Sequence, residues 1–183
     1  PGAREAMTKK QMQALVDEVL ADVDVAKNPY LVALADGTFA KDDFVETQLQ
    51  FFHAVTFFAR PMAALAAKIP DASMRVAVLR NVWEEHGEGA RDKMHGTTFK
   101  LFLARTLGVD VDAVEREIER RPLWPEVRVF NTRLAGAGVR DDERGGAATL
   151  GIVERMFSEI ANAIGRGVVA LGCIAAGALV DYD

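Results

Sequence analysis

The chain has 183 residues, of which 50% are hydrophobic and 27% charged, the profile of one soluble globular domain with a substantial core. A formal net charge of −5 and the lack of any basic stripe argue against nucleic acid as a partner. A single cysteine, Cys173, cannot form an internal disulfide, and with no signal peptide visible the expected compartment is the cytoplasm.

Nearly every segment shows helical periodicity, and none alternates with a period of two. Thr8 is placed to cap a helix over about Lys9 to Val25, with Met12, Leu15, Val19 and Leu20 on one stripe. Asn28-Pro29 interrupts it, and a short piece with Tyr30, Leu31 and Leu34 runs to an Asp36-Gly37 turn. A long helix follows from about Lys41 to Ile69, and Pro61 is expected to kink or break it. Asp71 caps the next helix, which reaches Glu85 and ends at Gly87 and Gly89. His95 opens another, stopped by Gly108, and Asp110 caps a charged surface helix to about Arg120. Pro122 and Pro125 turn the chain into Val127–Leu134, and glycine-rich, charged 135–146 reads as a loop. A final helix spans about Ala147–Val169. The expected architecture is a single all-α domain over 1–183, a bundle of about seven or eight helices.

Gly167–Val180 is apolar and uncharged but only 14 residues long, whereas a membrane span needs roughly 20. It is expected to pack as a buried helix or as a contact in a homodimer, with no membrane partner.

Five polar residues fall at inward positions of otherwise apolar segments. Glu46 and His53 are separated by two helical turns on a helix crowded with Phe44, Phe51, Phe52, Phe57 and Phe58, with Gln50 between them on the same face. Glu85 stacks above Val78 and Met74 and so points inward, while Glu84 belongs to the charged side with Arg80; His86 turns away, and Glu88 competes as a carboxylate. Gly87 and Gly89 allow His95 to return toward Glu85. On the last helix Glu154 projects between Leu150 and Phe157, with Arg155, Glu159 and Asn162 outward. Carboxylate and imidazole suit iron or manganese. The alternative is a paired polar core, with Glu46 on an arginine, His53 on a backbone carbonyl, and Glu154 on Arg60 or Arg133.

Other chemistries find no support in the motifs. Cys173 sits in an apolar run as a small packed residue. No glycine-rich loop follows a strand, and there is no serine elbow or paired CxxC. The Glu-x-x-His pair of ferritin-type bundles is absent; Asp92-x-x-His95 comes nearest to it.

Asn28-Pro-Tyr-Leu-Val-Ala-Leu-Ala-Asp-Gly, Gln48-Leu-Gln-Phe-Phe-His, Asn81-Val-Trp-Glu-Glu-His-Gly-Glu-Gly, His95-Gly-Thr-Thr-Phe and Leu150-Gly-Ile-Val-Glu154 together resemble the haem-oxygenase-like di-iron oxidases, the iron-containing redox enzyme group. Pyrroloquinoline-quinone synthases, para-aminobenzoate synthases and thiaminase-II-type hydrolases share that fold. The resemblance implies a seven-helix bundle whose iron, one or two ions, activates O₂ against a small-molecule substrate. Carried over by position, Glu85, His95 and Glu154 are implied metal ligands, and Glu46 and His53 pocket or catalytic groups nearby. The family's further His-x-x-x-Asp-x-x-His cluster is expected about where this chain ends, at Asp181-Tyr-Asp183. Two alternatives stay open: a metal-free acid/base enzyme on the same fold using His53, Glu46 and Glu85, and a non-catalytic helical dimer scaffold.

Overall fold

Side-chain caps start five of the helices, each supplying an oxygen to a backbone N–H that the first turn leaves unpaired. Thr8 forms a reciprocal capping box with Gln11, Asn28 accepts from Tyr30 N, and Asp71, Asp110 and Asp142 accept from Met74, Ala113 and Gly145. The computed structural model describes residues 8–175. Among them are eight α-helices and no strand: α1 Lys9–Val23, α2 Pro29–Ala35, α3 Lys41–Lys68, α4 Ala72–Glu85, α5 His95–Leu107, α6 Val111–Arg120, α7 Pro125–Val139 and α8 Glu143–Ala170.

α3 is the central element, packed against α4, α5, α7 and α8. Its N-terminal half joins one apolar core with α2, α5, α6 and the end of α8, through Leu34, Phe44, Leu49, Leu103, Val114 and Val168. Its C-terminal half forms a second with α7 and the start of α8, through Phe58, Met62, Leu65, Leu134 and Leu150. Phe157 of α8 bridges the two: its ring meets those of Phe51, Phe58 and Phe130 at 5.5–5.8 Å between centroids.

Two expectations need correction. Pro61 does not break α3, which continues to Lys68 with Pro61 buried. Nor is 135–146 a loop: α7 runs to Val139 and α8 begins at Glu143. The glycines there serve helix contact instead of turning the chain. A Cβ on Gly138 would lie 2.5 Å from the Pro61 carbonyl oxygen, and one on Gly146 would lie 2.6 Å from that of Ala137. α7 thereby seats directly on α3 at the proline, where the ladder of α3 lacks a donor.

The outer helices are less covered. Leu15 of α1 remains 41% exposed, so the apolar stripe expected there is only partly used; the side chain of Met12 lies outside the described residues. Within the Gly167–Val180 stretch, Gly167, Val168 and Ile174 are buried against this chain's own core, and 176–180 lie outside the described residues. No helix among the described residues is long and apolar enough to cross a membrane.

Candidate metal centre

The turn between α4 and α5 builds the first half of the site. Gly87 has φ +63°, and a Cβ there would sit 2.6 Å from Lys93 C and Met94 N, so no side chain fits. Glu88 follows at φ 54° and is exposed. This tight reversal brings the first residue of α5 back onto the last of α4: His95 Nδ1 lies 2.9 Å from Glu85 Oε2. The Glu85 side chain is 16% exposed and that of His95 49%, so the pair sits at the rim with the carboxylate on the inner side. The hydrogen bond that His95 donates to Glu85 raises its basicity above the ordinary 6.5, with burial opposing and the charge of Glu85 adding.

Glu154 approaches from α8. Asn81, one turn before Glu85 on α4, donates through Nδ2 to Glu154 Oε1. Neither Arg60 nor Arg133 takes that place; Arg60 instead lies over the Phe57 ring at 5.7 Å. Burial pushes the Glu154 carboxyl above its ordinary range, and the negative charge of Glu85 pushes further, with a smaller push from Glu84; the Asn81 hydrogen bond pulls the other way. The charge of Glu85 thus adds to burial in disfavouring the ionised form of Glu154. Among the described residues no lysine or arginine forms an ion pair with either.

Glu85, His95 and Glu154 thus occupy one neighbourhood through α4, α5 and α8, but they are not drawn into a finished coordination shell. Among the described residues no three His, Cys, Asp or Glu side chains stand close enough together to hold a metal ion. Glu85 Oε2 and His95 Nδ1 are hydrogen-bonded to each other. The donor chemistry fits a divalent metal: carboxylate oxygens from Glu85 and Glu154, neither held by a lysine or arginine among the described residues, and one imidazole nitrogen, at a partly open rim.

The other two candidates have different surroundings. Glu46 Oε2 is ion-paired with Arg121 Nε at 2.6 Å, and its Oε1 accepts from Gln50 at 3.3 Å. Gln50, fully buried, also donates to the Pro122 carbonyl at 3.1 Å and accepts from Trp124 N at 3.0 Å. This network pins the α6–α7 connection to α3, and an acid/base role for Glu46 would have to break it. His53 is half-buried; Asn131 donates to its backbone oxygen at 3.2 Å, and burial lowers the basicity of its ring. No hydrogen bond or ion pair among the described residues links Glu46 or His53 to Glu85, His95 or Glu154. His86 is exposed, its Nδ1 2.7 Å from the Val82 carbonyl.

Carboxylates and an imidazole gathered from separate helices of an all-α bundle are the pattern that a family comparison can place. The family model for iron-containing redox enzymes matches residues 45–178, which include Glu46, His53, Glu85, His95 and Glu154. This chain belongs to the iron-containing redox enzyme family. Its fold is accordingly the haem-oxygenase-like bundle, and the family's name implies iron. Comparison with curated proteins and with solved structures gives no match in either case.

Asn81 was not singled out by sequence. Its signal is positional: an amide at an inward helical spacing, four residues before Glu85, has to find a partner on the facing helix.

Proposed function

We propose that this protein is an iron-dependent oxidase or oxygenase acting with O₂ on a small-molecule substrate, with Glu85, His95 and Glu154 as the residues that hold iron. The observation that carries the reading is electrostatic: the charge of Glu85 adds to burial in disfavouring ionised Glu154, and among the described residues the two carboxylates have only the His95 ring and the Asn81 amide as side-chain partners. Like charges so placed are costly unless a cation or a proton relieves them. Iron, when bound, supplies one-electron redox chemistry and a binding place for O₂.

The chain's own residues have separate tasks in this reading. Glu85 and His95 exchange their mutual hydrogen bond for the ion. Asn81 fixes the orientation of the Glu154 carboxylate, as partners of ligating carboxylates do. Phe157, one turn after Glu154 on α8, packs its ring with those of Phe51, Phe58 and Phe130 and in this reading gives the site an apolar inner side. The ion is expected to be iron, with manganese as the competitor; its number per chain is one or two.

Oxygen consumption tests the activity. Protein loaded with Fe(II) without air and then exposed to O₂ should consume it faster than free Fe(II), and His95→Ala should bring the rate down to that of free Fe(II). Equal rates for the two proteins would remove the reading. The proposal includes a cytoplasmic location and a homodimer. The dimer draws support from the exposed apolar Val76, Leu79 and Trp83, which share one face of α4, a feature of the kind that favours association. Sedimentation giving only monomer at tens of micromolar would contradict it.

A further inference from the structure

A pocket of about 210 Å³ opens between α2, α3 and α8, lined by Tyr30, Thr47, Gln48, Phe51, Ile160 and Ile164. We propose that it is a binding site for a small hydrocarbon body, a methyl-substituted ring or a short alkyl chain, with any polar group of the ligand kept to the mouth. Three observations lead there, and none involves iron.

The first is that the three polar side chains of the wall are spent on one another. Thr47 Oγ1 donates to the Phe44 carbonyl of its own helix, 2.7 Å away. The single Thr47 proton is thereby committed, so Tyr30 OH, at 2.9 Å from Thr47 Oγ1, is the donor of that second bond. The Tyr30 oxygen in turn accepts from Gln48 Nε2 at 2.9 Å. Gln48 is 1% exposed and its Oε1 is wholly covered, so a ligand meets neither. Burial pushes the Tyr30 phenol above its ordinary value, with its hydrogen bonds to Thr47 and Gln48 opposing, and the ring stays uncharged. What remains to face the pocket is almost wholly carbon.

The second is that the aromatic walls are fixed in place. The Phe51 ring is held edge-on by Phe99 at 6.0 Å and Phe157 at 5.5 Å, and Tyr30 by Phe39 at 5.0 Å. Neither ring is free to swing across and fill the space, so a ligand finds the walls already placed.

The third is what such walls select. A water molecule needs two to four polar partners, and these walls offer almost none. A charged ligand would lose its hydration with no lining charge to replace it. A hydrocarbon gives up nothing and gains contact with Phe51 of α3 and with Ile160 and Ile164, one turn apart on α8. An enclosed apolar cavity of about 150 Å³ takes a benzene ring, so this larger and partly open one has room for a ring with one or two methyl groups.

p-Xylene and hydroquinone are the test pair. They are nearly alike in size and shape, but hydroquinone with one hydroxyl at the mouth must press the other against carbon. Titration of the full chain without added metal, followed by ligand-observed NMR, should show saturable binding of p-xylene. It should be at least about tenfold tighter than that of hydroquinone, the effect of one hydroxyl left unpaired. Nuclear Overhauser contacts should join the xylene methyl groups to those of Ile160 and Ile164. Ile160→Trp, which fills the pocket, should weaken p-xylene binding by at least about tenfold. Hydroquinone binding as tightly as p-xylene, binding that does not saturate, methyl contacts elsewhere on the protein, or unchanged affinity in folded Ile160→Trp would each overturn the proposal. If that variant does not fold, the wild-type methyl contacts decide alone. Because no metal is added, such a failure leaves the iron reading untouched, and a failure of iron uptake leaves the pocket untouched.

Discussion

The Glu85 carboxylate lies 2.9 Å from the His95 ring across a turn that belongs to neither helix. That contact exists because Gly87 takes a left-handed conformation in a space where a Cβ would meet Lys93 and Met94 backbone at 2.6 Å. Gly87→Ala should destabilise the protein by about 1–3 kcal/mol, the usual cost of forcing such a position, and should lower iron uptake together with it. Urea unfolding and metal analysis on the same preparation check both. An unchanged midpoint would show that the turn has room to adapt.

Glu154 offers a test in which stability and function move in opposite directions. Burial and the charge of Glu85 disfavour its ionised form, so Glu154→Gln should raise the melting temperature of the metal-free protein at pH 7 while reducing iron binding. The new amide can still meet Asn81, because either side chain can rotate to offer the oxygen or nitrogen that the other lacks. A lower melting temperature for the metal-free variant would mean that Glu154 is compensated and that no cation is needed there.

His53 sets an acid limit. Burial holds its ring below the ordinary 6.5. The unfolded chain therefore takes up the proton first, so the stabilisation is complete above pH 6.5 and is lost as pH falls through the lower folded value. Wild type should lose more stability than His53→Gln between pH 7 and pH 5 in urea titrations. Parallel losses would show that the ring is solvated.

The Glu46 network separates a structural role from a catalytic one. Glu46 and Arg121 are each partly exposed, and Glu46→Gln should cost no more than about 1 kcal/mol. Gln50→Leu, which strands the Pro122 carbonyl and Trp124 N–H, should cost about 1–3 kcal/mol. Both variants should bind iron as wild type does; loss of iron in Glu46→Gln at intact stability would move that residue into the metal centre.

Most of the fold can be read from capping residues and apolar spacing, because both act over one turn of chain. Thr8, Asp71 and Asp110 mark helix starts without reference to any other segment. The misreadings are places where a distant segment decides. Pro61 stays inside a helix on which α7 packs through Gly138, and the glycines of 135–146 are legible as contact residues only once α3 and α8 are beside them. The candidate site divides in the same way. Glu85 and His95 meet across a local glycine turn whose role is visible in the residues, whereas the Asn81–Glu154 hydrogen bond joins α4 to α8 and has no local sign.

The central claim, that Glu85, His95 and Glu154 hold iron together, is met most directly by diffraction at the iron absorption edge from crystals grown anaerobically with Fe(II). The account predicts an anomalous peak bonded to an oxygen of Glu85, a ring nitrogen of His95 and an oxygen of Glu154, at roughly 2.0–2.2 Å, with the Glu85–His95 hydrogen bond gone and the peak retained in Glu84→Gln crystals. No peak among the three, with Glu85 still hydrogen-bonded to His95 in iron-soaked crystals, would contradict it.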